Sequence, residues 1–235
     1  SAGEESALRK ALSFDRGNPE LWQRLETHLE GRECWPELAV ALHEHADVIR
    51  SANPDPAPRV SEPPPAGGAR MSMVPAASPA FVAEQVYLLK KAADVHRTRR
   101  NAPSEAIPLL ERATELVPHD RELLLILCDT YNAASREQDA ARALERVIAS
   151  FGPRRTKELA QLHHRLGRTL LQLGDQAGAL AQYDLAFKID PGSTTVLRDL
   201  GLMTLESGDL ERAQKTFRAL LLQRFDAQSG ITKAE

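Results

Sequence analysis

The chain has 235 residues, with 30 basic and 33 acidic side chains that leave a net charge of -3, so no broad field gathers nucleic acid or anionic lipid. It is 42% hydrophobic, 27% charged and only 5% aromatic, a composition that suits a soluble helical protein rich in Ala, Leu, Glu and Arg. No apolar run reaches the roughly eighteen residues of a membrane span, and no basic segment followed by an apolar stretch opens the chain, so neither a membrane nor nucleic acid is expected as a partner and a cytoplasmic location is.

Taken in order, residues 1–50 contain a first helix over 4–14, carried by Leu8, Ala11 and Leu12, which reads as the second half of a pair whose first half is missing. A degenerate hairpin follows over 19–50, with Trp22, Leu25 and Leu29 on one helix and Trp35, Leu38 and Leu42 on the next. Residues 51–80 hold eight of the fifteen prolines, including Pro63-Pro64-Pro65, together with Gly67-Gly68, and read as a flexible linker. Ser78-Pro79 is placed to cap and open the helix that comes next.

Two hairpins are expected over 81–153. The earlier shows Ala106, Leu110, Ala113 and Pro118 in its second helix, while around His96–Asn101 a small insertion shifts the register of its first. The later carries Leu124, Leu127, Cys128, Tyr131, Ala140 and Leu144. Over 154–235 two clear hairpins and the start of a further helix are expected. Leu162, Leu166, Leu170 and Leu173 form one apolar stripe, Gly174-Asp175 breaks it, and Ala179, Tyr183, Ala186 and Phe187 form the next before Pro191. Thr232-Lys233-Ala234 echoes Thr156-Lys157-Glu158, where another first helix would begin, so the chain reads as an excised piece of a longer array.

These two last hairpins are one pattern written twice. Leu166-Gly167 returns as Leu200-Gly201, Gly174-Asp175 as Gly208-Asp209, Ala179 as Ala213 and Tyr183 as Phe217, each pair thirty-four residues apart. A fixed period of this kind marks a stacked repeat rather than a closed globule. Glycine inside a helix costs about 1 kcal/mol against alanine. Close approach of Gly167 to Ala179, with Tyr183 filling the space beside them, is the expected compensation.

At these residues the chain resembles the tetratricopeptide repeat family, whose unit carries Leu-Gly in its first helix and Ala, an aromatic, Ala and Pro in its second. Leu166, Gly167, Ala179, Tyr183, Ala186 and Pro191 match that pattern. Departures are Leu220 and Phe225 in the last hairpin, Cys128 in place of the glycine, and Glu26 and Leu38 in the degenerate one, whose helices should pack less closely. The resemblance implies an all-α fold, an α-solenoid of antiparallel helical hairpins forming a right-handed superhelix. It also implies that successive first helices line a concave groove that receives a partner's peptide or helix.

On those helices the stripe beside the core stripe can be named: Glu20, Gln23, Thr27 and Glu30, then Glu122, Leu125, Asp129 and Asn132, then Gln161, His164, Arg168 and Gln172, then Thr195, Arg198, Leu202 and Glu206. It is acidic early and more basic late. Arg168 and Arg198, with an exposed His164, are candidates to engage an acidic stretch of a partner, because a guanidinium fork matches both carboxylate oxygens. The family's clamp for chaperone tails uses Lys and Asn where His164 and Arg168 stand, so that specificity is not carried over.

Catalysis is not expected. His43 and His45 are two residues apart and His163 and His164 adjacent, so neither pair converges on one metal from a helix, and His163 is assigned to packing. No phosphate-cradling loop or nucleophile-elbow pattern occurs. Cys34 and Cys128 lie too far apart for a disulfide scaffold or zinc cluster and read as core fillers. The expected function is a protein-interaction scaffold without cofactor or metal. The alternatives are a regulatory or substrate-recruiting arm of a larger enzyme, of kinase or glycosyltransferase type, and an RNA-binding helical repeat. Oligomeric state is not legible.

Overall fold

A computed structural model describes residues 2–52, 79–152 and 155–223. The expected linker, apart from its helical edges at 51–52 and 79–80, lies outside the described residues, as do Ser78 and the further helix expected at 232–234. The described residues form eleven α-helices and no strand: α1 Ala2–Phe14, α2 Pro19–Gly31, α3 Trp35–Ala52, α4 Pro79–Asp94, α5 Pro103–Leu116, α6 Arg121–Ala133, α7 Glu137–Ala149, α8 Lys157–Gln172, α9 Gln176–Ile189, α10 Thr194–Glu206 and α11 Leu210–Leu221. After α1 they pair as five hairpins. The chain divides into two compact units, 1–123 and 124–235.

One turn design joins the two helices of every hairpin. A residue with left-handed backbone stands two positions before the second helix: Glu33, Asn101, Ser135, Gly174 and Gly208, with φ of 54°, 49°, 55°, 82° and 82°. The next amide turns back onto the end of the first helix, Cys34 N–H donating to the Leu29 carbonyl, Arg136 to Tyr131, Asp175 to Leu170 and Asp209 to Thr204, at 2.8–3.0 Å. This closes carbonyls that the helix end would leave open. In the α4–α5 hairpin the same bond spans one residue more, from Ala102 to His96, because Val95–Arg99 is a π-turn. One inserted residue is therefore the physical form of the register shift expected at His96–Asn101.

Only two of the five turns use glycine where the backbone is left-handed. An ordinary side chain there costs about 1–2 kcal/mol, and asparagine tolerates it better than most. Glu33→Gly and Ser135→Gly should each raise stability by about 1 kcal/mol, seen as a higher denaturation midpoint with the helical signal unchanged. An unchanged or lower midpoint would mean that these two side chains hold their turns in some other way.

Counting from the left-handed residue aligns all five hairpins. Seven residues earlier stand Glu26, Cys128, Gly167 and Gly201, and eight earlier, with the extra π residue, Ala93. Nine residues later stand Leu42, Leu110, Leu144, Tyr183 and Phe217. Glycine faces the two aromatic rings, and larger residues occur where the second helix offers leucine. A Cβ on Gly167 would lie 2.6 Å from Tyr183 Cε1 and 3.2 Å from the Ala179 carbonyl; one on Gly201 would lie 2.8 Å from Phe217 Cε1. The distances to the two rings are too short for real atoms. The close approach expected of Gly167, Ala179 and Tyr183 is what the structure contains, and Ala179, Tyr183, Leu200 and Met203 continue that core into the next hairpin.

Unit 1 solves the same crossing with polar chemistry. Glu26, in the glycine position, is buried, and His45 Nδ1 lies 2.9 Å from its carboxylate. His45 stacks flat on Trp22 with ring centroids 5.0 Å apart, and Lys91 of α4 reaches both Glu26, at 3.9 Å, and Glu30, at 3.2 Å. Gln85 of α4 donates to the Ala46 carbonyl at 3.3 Å. The α2–α3 hairpin thus stacks directly on α4 although twenty-six intervening residues, 53–78, lie between them in sequence.

Two expectations are corrected by the structure, Leu173 and Cys34, while that for Cys128 holds. Leu173 is 39% exposed, because it forms the C-cap of α8 rather than a fourth core position. Cys34 is half-buried in the α2–α3 turn and is not a core filler. Cys128 is one, fully buried, and burial pushes its thiol up to about 11, so it stays protonated at neutral pH.

Candidate partner groove

In unit 2 the first helices α8 and α10 flank an open cleft of about 350 Å³. Asp175 and Asp209 start the following helices by accepting from the amides of Gly178 and Arg212, at 2.8 and 3.1 Å, so the turns beside the cleft are fixed. Arg168, Leu171 and Gln172 line it from α8; Arg198, Leu202 and Glu206 line it from α10. Tyr183, Asp199 and Met203 lie at its base. Leu171 and Leu202, 40% and 46% exposed, give the cleft an apolar middle.

Four expected groove residues, Arg168, Gln172, Arg198 and Leu202, are brought together by this geometry, and Gln161 is exposed farther up α8. His164 is not where the sequence stripe puts it. It is buried, its Nε2 lies 2.8 Å from Asp199 Oδ2, and its ring leans on Tyr183 with centroids 5.5 Å apart. A carboxylate thirty-five residues away draws the imidazole inward, so His164 supports the groove floor instead of facing a partner.

Asp199 organises that floor. Burial alone would raise its carboxyl, but hydrogen bonds and charge from His164 and Arg198 outweigh the burial and hold it below the usual carboxylate range. Arg198 Nε donates to Asp199 Oδ1 at 2.8 Å, which fixes the guanidinium of a residue that lines the cleft. Arg168 has no hydrogen-bonded or ion-paired partner among the described residues. Tyr183 is pushed up to about 12, first by burial and then by Asp199, so its phenol stays neutral.

The acidic candidates are engaged by neighbours. Glu122, in unit 1, pairs with Lys90 at 3.1 Å, and Asp129, in unit 2, accepts a short bond from Arg165. Both keep exposed faces. Sequence reading missed the α4 contribution, since the π-turn hid its register: Tyr87, 62% exposed, and Lys90 fall on the corresponding stripe of that helix. A count backward from Ala106 with one inserted residue would have found them. Among the described residues no group of three or more His, Cys, Asp or Glu side chains is arranged to hold a metal, and no helix is long and apolar enough to cross a membrane.

These features define a class. Residues 160–193 match the family model of the tetratricopeptide repeat, and the fold is that of tetratricopeptide-repeat proteins. Among solved structures the chain is similar to MamA, with 18% identity over 86% of this chain and 89% of that one and a TM-score of 0.55. It is also similar to YrrB, described as a TPR protein with an unusual peptide-binding site, at 14% identity over 92% and 91% with a TM-score of 0.53. A putative kinesin light chain with TPR-like repeats from Podosopora anserina gives 15% identity over 85% and 91% and a TM-score of 0.52. No curated protein matches the chain.

Proposed function

We propose that this chain is a non-enzymatic interaction scaffold whose α8–α10 cleft binds an extended peptide of a partner protein, with an acidic residue of that peptide held by Arg168 and Arg198. One observation carries the reading: two arginines from consecutive first helices, one unpartnered and one braced by a half-buried carboxylate, border the same half-apolar cleft. Forked guanidinium donors suit a carboxylate, and the exposed leucines beside them offer apolar surface to the rest of the peptide. YrrB, which shares the fold, is described as peptide-binding. The buried, protonated Cys128 and the inward-turned His164 supply no nucleophile or base at the cleft.

Selection of a random peptide display library against the protein tests this. Peptides enriched on the native chain should carry Asp or Glu and should weaken steeply with salt, and they should be lost on Arg168→Glu/Arg198→Glu while helicity is unchanged. Acidic peptides that survive the double reversal would refute the assignment of these two arginines.

A further inference from the structure

The cleft has more in it than its arginines, and its order along the helices is itself information. We propose that it reads a charge-ordered triplet in an extended peptide: an acidic residue, an apolar residue two positions away, and a basic residue two positions beyond that. The proposal rests on the peptide-binding reading above and specifies which peptides the site selects.

Two helices, α8 and α10, wall the cleft. Along α10 the lining runs Arg198, Leu202, Glu206, and along α8 it runs Arg168, Leu171, Gln172. By the thirty-four-residue repeat offset Arg168 is level with Leu202 and Gln172 with Glu206, so Arg198 stands at one end of the cleft, Leu202, Met203 and Arg168 occupy its middle, and Glu206 and Gln172 close the other end. Glu206 is exposed and has no ion-paired partner among the described residues, and Gln172 opposite it is neutral. Counting Arg168 and Arg198 against Asp199 and Glu206, the lining carries two cations and two anions. A uniformly acidic ligand would bring like charge against Glu206, whereas a ligand of alternating sign is complementary at both ends.

Length fixes the spacing. Arg198 and Glu206 are eight residues apart on one helix, which is about 12 Å along its axis. An extended chain advances about 3.3 Å per residue, so four residues cover that distance. In an extended chain, alternate side chains share a face. First, third and fifth residues would thus meet Arg198, with Arg168 reaching across from the middle, then Leu202 and Met203, and then Glu206. Asp199 takes part only as a positioning residue, since it holds Arg198 from behind. The arrangement sets the spacing and sign of the triplet and leaves the peptide free to lie in either chain direction.

Three fluorescein-labelled probes test it by anisotropy: Gly-Ser-Asp-Ser-Leu-Ser-Lys-Ser-Gly, the same peptide with Asp for Lys, and the same peptide with Gly for Leu. The first should bind at least about tenfold more tightly than either of the others, a difference the like-charge contact at Glu206 and the empty apolar middle each provide. Glu206→Lys should invert the preference between the first two, and a melt recorded on each variant confirms that the fold is intact. Equal binding of all three, abolished together by Arg168→Glu/Arg198→Glu, would overturn the triplet and leave the acidic-peptide reading standing. Binding of none, or binding indifferent to the arginine reversal, would overturn both.

Discussion

Gly167→Cys and Tyr183→Leu should each destabilise unit 2 by about 2 kcal/mol, while the double substitution should cost less than about 1 kcal/mol. The first forces side-chain atoms into space that Tyr183 occupies, since even a Cβ there would sit 2.6 Å from the ring. The second removes most of a fully buried ring and leaves a void beside Ala179. Together they rebuild the pairing that the α6–α7 hairpin already uses, where Cys128 and Leu144 hold these two positions and both are fully buried. The measurement is chemical denaturation of the four proteins. Additive losses would show that the two sites are independent and that the hairpins do not share one packing rule. Because each repeat leans on its neighbours, the single variants should also loosen α10 and α11, visible as faster amide exchange there.

His45→Ala should be as damaging in unit 1, with a loss of about 3 kcal/mol. It strands the Glu26 carboxylate, whose side chain is 11% exposed, with Lys91 at 3.9 Å as its nearest remaining cation, and it removes the ring stacked on Trp22. Adding Glu26→Ala to His45→Ala should recover much of that loss, because the stranded charge goes with it. His45→Gln, which keeps a donor near the carboxylate, should fall between the native chain and His45→Ala. If Glu26→Ala makes His45→Ala worse, the two residues act as packing volume and not as a hydrogen-bonded pair.

What could be read from the sequence was what is local or periodic. Gly167, Ala179 and Tyr183 announced their contact through a thirty-four-residue echo, and the stripe on α8 and α10 followed from helical spacing once the family resemblance had marked the first helices as groove-lining. Arg168, Gln172, Arg198 and Leu202 do share one cleft. Illegible features depended on a residue from elsewhere. His164 sits on the outward stripe of α8 by count, yet Asp199 of the next hairpin pulls it in, and no local pattern encodes a bond between those two. Tyr87 was hidden by a single π residue that offsets α4 from the other first helices. Leu173 was misplaced because periodicity does not say where a helix stops, and the left-handed turn at Gly174 does.

The most direct test of the central claim is a methyl NMR titration with a peptide recovered from the display library. If the α8–α10 cleft is the partner surface, the methyl signals of Leu171, Leu202 and Met203 shift first and most, while those of Leu185 and Leu221 on the second helices stay in place. Shifts confined to the second helices, with Leu202 and Met203 unmoved at saturation, would place the partner on the opposite face and contradict the account.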